Sequence, residues 1–289
     1  MEKFKKILLI VITLILVVAI VWVTVNFAKS KVDNKKNPVV TMEVEGYGTI
    51  KIELYPDKAP NTVKNFIRLA QRGYYDGKTF TDIEDGLIRG GLTQTTNDSG
   101  KTVEEGPKIS DLRDLADGET DKEYEIEGEF IENGYNDNTL SHQRGVISMY
   151  RKTYSQYQQE MAMLQMTGYA SYADTLLTEF YDSQSAGFFI LTADETGFDG
   201  TYTAFGKVIE GMDVVDAISK VELQKSTDDS GNETTTTKPV TAPVIKTVTV
   251  DTDGVDYGMP EIKDVFDFDS VFNLVMQNYM QSSGTTSSY

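Results

Sequence analysis

Apolar and polar residues alternate at two neighbouring places near the start of the chain. Val40, Met42 and Val44 form one series, and Ile50, Ile52 and Leu54 the other. Glu45-Gly46-Tyr47-Gly48 lies between them. A period of two puts each series on one face of a strand, so the pattern predicts a β-hairpin with one buried face. The period changes at Pro60-Asn61. Val63, Phe66, Ile67 and Ala70 then recur at helical spacing, and Gly73 ends the run. Residues 80–91 read as strand, turn, strand. Residues 92–125 are polar and acidic and read as a long surface loop. Short apolar strands are predicted at 145–149, 188–191 and 205–208, and a short helix at 212–221 with Val214, Val215 and Ile218 inward. Residues 225–238 read as a low-complexity hairpin tip, and residues 244–250 as a last strand. Many short strands with few helices predict a closed β-barrel.

Two stretches break this rhythm. Tyr154, Tyr157, Met161 and Leu164 form a helical stripe, and Tyr169, Tyr172, Leu176 and Phe180 resume it after Gly168. A helical hairpin inserted at 150–184 follows. Its stripe serves either packing or recognition, because Met-rich surfaces adapt to varied apolar partners. Phe268, Val271, Phe272, Val275 and Tyr279 predict a further helix within 265–280, and residues 281–289 are expected to be disordered.

Residues 7–28 carry no charge. At about 1.5 Å per residue they are long enough to cross a bilayer core of about 30 Å. Read as an uncleaved signal anchor, they divide the chain into a cytoplasmic tail (1–6), an anchor (7–28), a linker (29–37), a main domain (38–254) and a C-terminal extension (255–289). The short basic N-terminus keeps the tail inside and the main domain outside the cytoplasm, a single-pass arrangement in the cell membrane. The rival reading is a cleaved signal peptide, for which Val25-Asn26-Phe27-Ala28 is a poor cleavage site.

Composition narrows the chemistry. Lys and Arg number 27 against 45 Asp and Glu, for a net charge of −18. No nucleic-acid partner is expected, since phosphates need a basic face. The absence of cysteine removes disulfides, thiol catalysis and Cys-ligated metals. His142 is the one histidine, so any Ser-His-Asp triad must use it and multi-His metal sites are excluded. Neither cofactor nor metal is expected, and the oligomeric state stays open.

Five blocks carry a resemblance. They are GTIKIELYPDKAPNTVKNFIRLAQRGYYDGKTF (48–80), GLIRGG (86–91), LSHQRGVISM (140–149), SAGFFILTA (185–193) and FDGTYTAFGKVIEGMDVVDAI (198–218). In order and spacing this chain resembles the cyclophilin-type peptidyl-prolyl isomerases, as a divergent, membrane-anchored bacterial member. The resemblance implies a closed eight-stranded antiparallel barrel capped by two helices. It also implies proline-containing, unfolded or exported polypeptides as partners. The family's pocket phenylalanine falls on Phe189, its apolar pair on Leu87 and Ile88, and the positions flanking the Asp-Gly pair on Phe198 and Tyr202. Phe80, Met149 and Gly187 complete the implied substrate-binding set. The polar half departs from the family. The catalytic arginine position holds Asp82, preceded by Thr81 where the family has histidine. The strand-end glutamine is Arg89, with one residue missing between Gly86 and Gly90. The glutamine before the Phe-Phe pair is Gly187, the tryptophan of some members is Gly197, and the acidic residue after the Gly-Gly pair is Leu92. Asp82 and Arg89 are therefore the candidate catalytic pair. Arg89 either replaces the missing donor or forms a surface salt bridge with Asp82 or Glu84. His142 is expected to be structural.

Three functions are in view. One is an extracytoplasmic isomerase assisting exported proteins. Another is a catalytically weak cyclophilin-like module that holds clients through its groove and helical insertion. The last is a structural envelope protein.

Overall fold

The computed structural model describes residues 36–96, 102–152, 158–166, 168–227 and 231–284. The expected tail (1–6) and anchor (7–28), nearly all of the linker, Tyr154, Tyr157 and residues 285–289 lie outside these residues. No helix among the described residues is long and apolar enough to cross a membrane.

Strands β1 (Val39–Val44) and β2 (Gly48–Leu54) form the first hairpin, with Val40 opposite Ile52 and Met42 opposite Ile50. Helix α1 (Pro60–Gln71) starts at a proline, whose missing N–H would have had no helical partner there. Two further N–H groups of that first turn, from Asn61 and Thr62, donate to the buried carboxylate of Glu129 at 2.9 and 2.8 Å. Then come β3 (Phe80–Glu84), β4 (Leu87–Gly90), β5 (Thr93–Thr96), β6 (Thr102–Glu105), the single turn α2 (Ile109–Leu112), β7 (Tyr124–Glu125) and β8 (Val146–Arg151). The inserted helices α3 (Gln158–Met166) and α4 (Ala170–Tyr181) lead into β9 (Gln184–Leu191) and β10 (Ala204–Glu210). Helix α5 (Met212–Ile218), β11 (Leu223–Thr227), β12 (Glu233–Pro239), β13 (Ile245–Asp251), β14 (Lys263–Asp264) and α6 (Phe268–Gly284) complete the order.

Eight strands make one antiparallel sheet, in the order β13-β1-β2-β10-β8-β9-β4-β3. The sheet curls but does not close, unlike the expected barrel. Its outer strands β3 and β13 approach at one end only, through a bridge between Thr79 and Val244 and a bond from Phe80 N–H to the Pro243 carbonyl at 2.9 Å. Pro239 and Pro243 precede β13 and have no N–H to donate, so a ladder cannot run back along this edge. The core lies inside the curl, sealed by α1 and α5. Phe66, Tyr75, Phe80 and Phe188 meet there with ring centroids 4.8–6.2 Å apart. Each such buried apolar side chain contributes about 1.5–3 kcal/mol.

Residues 92–125 are not the plain surface loop expected. They form the β5–β6 hairpin and bury Ile109, Leu112 and Tyr124 in the core, with the Tyr124 hydroxyl donating to Asn65 at 2.8 Å. The inserted helices and the C-terminal extension build a second apolar cluster. Met161, Leu164, Leu176 and Phe180 pack there with Phe268 and Val275. Helix α6 runs to Gly284, past the 281 boundary at which disorder was expected.

Candidate functional site

Strand alternation assigns the outer face of β4, β9 and β8. Leu87 and Arg89 point one way on β4 and Ile88 the other, because side-chain direction reverses at each residue. Cross-strand register sets Arg89 opposite Phe189 on β9 and opposite Asp82 on β3. On this face Leu87, Phe189, Phe198 and Tyr202 form one cluster with Val146, Leu191 and Ala204. The Phe189 ring meets Phe198 at 5.8 Å and Tyr202 at 5.4 Å, both edge-on, and Phe198 lies 5.0 Å from Tyr202. Phe198 and Tyr202 are half-buried, so the cluster offers an aromatic surface for a ring-shaped apolar group.

Three other expected contacts lie elsewhere. Phe80, Ile88 and Met149 are each 0% exposed inside the main core and cannot touch a substrate on the outer face. The shortened segment between Gly86 and Gly90 explains Ile88. With one residue fewer, the outward positions fall on Leu87 and Arg89.

Asp82 and Arg89 do meet. The Arg89 guanidinium donates from Nη2 to Asp82 and from Nη1 to Glu104 at 2.8 Å, and it lies 4.2 Å from the Tyr150 ring centroid. This is not a surface bridge, since the Arg89 and Asp82 side chains are 10% and 5% exposed, and the second carboxylate is Glu104 rather than Glu84. Asp82 also accepts from Thr81 at 3.1 Å and from Thr237 at 2.8 Å, and the Lys238 ammonium sits 2.8 Å from its Oδ1. Burial pushes the Asp82 carboxyl toward its neutral form, but the bonds from Lys238, Arg89 and Thr237 outweigh burial and hold it below the usual carboxylate range. Burial likewise opposes charge on Arg89, and Glu104 and Asp82 more than restore it. Asp82 is thus an ionised socket for two cations.

Beside this pair opens a cleft of about 800 Å³. Gly187 forms part of its wall. A Cβ on Gly187 would lie 3.0 Å from Leu92 Cγ and 3.3 Å from Tyr150 Cβ, so Leu92 and Tyr150 close over the place of the missing side chain. Arg89, Glu104, Lys152 and Lys238 also border the cleft, together with Glu123, Glu125 and Asp269.

His142 lies under the aromatic cluster at 1% exposure, its ring 6.4 Å from Phe189 and 6.0 Å from Phe198. Nδ1 is 3.0 Å from Asp199 Oδ1 and Nε2 is 3.0 Å from Ser148 Oγ. The carboxylate makes Nδ1–H the donor, so Nε2 accepts from the serine hydroxyl. The order Asp, His, Ser is that of a nucleophilic triad, yet Ser148 is 0% exposed and no acyl group reaches it. The chain of bonds is a brace beneath Phe189. A second brace stands beside Tyr202, where the Arg151 guanidinium lies 4.6 Å from that ring, 5.2 Å from Tyr181 and 5.4 Å from Phe130.

Glu104, Tyr150, Thr237 and Lys238 escaped the sequence reading. Tyr150 was accessible to it, since alternation from Ser148 puts it outward. Thr237 and Lys238 end a threonine-rich run with no periodic signal.

A family model described as cyclophilin type peptidyl-prolyl cis-trans isomerase/CLD matches residues 39–165 and 156–250. Peptidyl-prolyl cis-trans isomerase 10 of Caenorhabditis elegans is 28% identical over 178 residues, covering 61% of this chain and 79% of that protein. Peptidyl-prolyl cis-trans isomerase-like 2 of Rhizopus delemar is 28% identical over 184 residues, covering 63% of this chain; the chain spans 25% of that relative's length. A cyclophilin-type peptidyl-prolyl cis-trans isomerase of Cryptosporidium parvum, solved in the presence of the dipeptide Ala-Pro, covers 74% of this chain and 98% of its own at 21% identity and a TM-score of 0.46.

Proposed function

The chain belongs to the cyclophilin-type peptidyl-prolyl cis-trans isomerase family, and from that premise we propose that it turns X-Pro bonds in exported polypeptides outside the cytoplasm, with Arg89 as the polar donor. The reaction is rotation about an amide with a barrier of about 18–20 kcal/mol, and it needs neither nucleophile nor cofactor. A site accelerates it by gripping the proline ring and stabilising the twisted amide that has lost resonance. Leu87, Phe189, Phe198 and Tyr202 supply the grip. Arg89, cross-strand neighbour of Phe189, supplies N–H groups beyond the two that Asp82 and Glu104 engage. That placement, a clamped guanidinium next to the pocket phenylalanine, is the observation that carries the reading. Placement outside the cytoplasm is supported by the uncharged run at 7–28 and the basic residues before it.

A second reading keeps the groove without catalysis. It is favoured by the carboxylate at Asp82, which cannot donate to the imide nitrogen, and it makes the protein a holder of clients. A proline-isomerisation assay on the full chain with several X-Pro peptides separates the two. Catalysis is expected in the wild type, with a fall of about 10²–10³ in Arg89→Met, the usual cost of one aimed donor. Asp82→Arg is expected to lower the rate as well, by setting a third cation against Arg89 and Lys238. Background rates with peptide binding intact would transfer the conclusion to the holding module.

A further inference from the structure

Hairpin β11–β12, read in sequence as a low-complexity tip, reaches the site. Its last strand runs beside β3 and delivers two side chains to one carboxylate oxygen, Thr237 Oγ1 and Lys238 Nζ, each 2.8 Å from Asp82 Oδ1. Lys238 borders the cleft together with Arg89, whereas Asp82 does not. A chain lying in the cleft meets Lys238, Arg89 and Lys152 set among the carboxylates of Glu104, Glu123, Glu125 and Asp269, with Asp82 behind Lys238 and Arg89. The two cations differ in access. The Lys238 side chain is 41% exposed, against 10% for Arg89. An ammonium has three N–H donors, and Asp82 takes one.

We propose that Lys238 is a second substrate-contacting cation, donating to a backbone carbonyl of the polypeptide in the cleft while Asp82 fixes its position. The proposal rests on the isomerase reading only for the identity of the polypeptide. Asp82 then has a positive role, since the position that lost its own cation now presents two others from neighbouring strands. A contact to a carbonyl away from the turning bond persists in ground and transition states alike, so its signature lies in binding rather than in the chemical step.

The test uses the full chain and a proline-containing tetrapeptide, followed by calorimetric affinity and by isomerisation kinetics. Lys238→Met is expected to weaken peptide affinity and raise KM by about tenfold, with kcat within about twofold. Lys238→Arg is expected to restore most of that loss. Lys225→Met is the control, since it removes an equal charge from the same hairpin at an exposed pair, Lys225 with Glu233. It is expected to bind as the wild type does. Lys238→Gln keeps a hydrogen-bond donor for Asp82, so it serves if the methionine variant melts early. Equal affinity for wild type and both uncharged variants would overturn the proposal, as would a loss that arginine does not rescue or that Lys225→Met shares. The affinity arm reads the contact without turnover. A wild type that binds the peptide but does not turn it removes the isomerase reading and leaves Lys238 to be judged on binding alone.

Discussion

Burial holds the His142 imidazole below its ordinary value of 6.5 and outweighs the pull of Asp199 toward the charged form. An unfolded chain takes up a proton as pH falls through about 6.5, while the folded chain resists. The folded state therefore loses stability relative to the unfolded one as pH drops from about 7 to 5. His142→Gln removes this titration. The gap in melting temperature between wild type and variant is expected to be widest at pH 7.5 and narrower at pH 5.5. A gap that stays constant would mean that the imidazole charges freely in the fold. At this scale Phe189, Phe198 and Tyr202 were legible in sequence, because they sit in blocks whose spacing fixes them, whereas Phe80, Ile88 and Met149 turn into the main core. Of the polar half only the Asp82–Arg89 pair was legible; Glu104, Thr237 and Lys238 were not. Asp82 acquires its partners from Arg89 on β4 and from Thr237 and Lys238 on β12, and Arg89 takes its second carboxylate, Glu104, from β6. Separations of that kind leave no local pattern.

The inserted helices α3 and α4 and the C-terminal helix α6 depend on one another more than on the sheet. The Phe180 and Phe268 rings lie 5.9 Å apart within a cluster separate from the main core. A double-mutant cycle of Phe180→Ala and Phe268→Ala, followed by denaturant unfolding, is expected to give a coupling energy of about 1 kcal/mol. Additive losses would show that the two helices are held independently. The stripe of the insertion was readable as a helix, but not as a packing face for α6, since periodicity reports a buried side and not its partner. Residues 92–125 misled for the opposite reason. Ile109, Leu112 and Tyr124 are too sparse among acidic neighbours to make a period, yet each is buried. Barrel closure was overread for lack of a rule in the pattern that tells a paired edge from an open one. Only the two prolines ahead of β13 mark it.

For the whole molecule, net charge and the uncharged run at 7–28 bear on placement. With 45 acidic and 27 basic residues, the protein presents a negative field to its surroundings. Protease added to intact or wall-stripped cells is expected to digest residues 37–289 while an N-terminal tag survives. Protection of the whole chain would overturn the extracytoplasmic assignment.

Strand β1 has two neighbours of very different age. Its pairing with β2 joins residues a few positions apart, but its other edge waits for β13, where Val39 meets Asp251 and Val40 meets Val250. About 190 residues must be made between the end of β2 at Leu54 and the start of β13 at Ile245, roughly 10–40 s of synthesis at ordinary rates. Through that interval the first hairpin carries a bare edge, ready to pair with any extended chain. Folding therefore completes late and nearly all at once, with high contact order and slow kinetics. A chain cut anywhere before residue 245 leaves this edge permanently unpaired. Such fragments belong to the aggregation-prone species that a cell must clear, however much of the aromatic face they already contain.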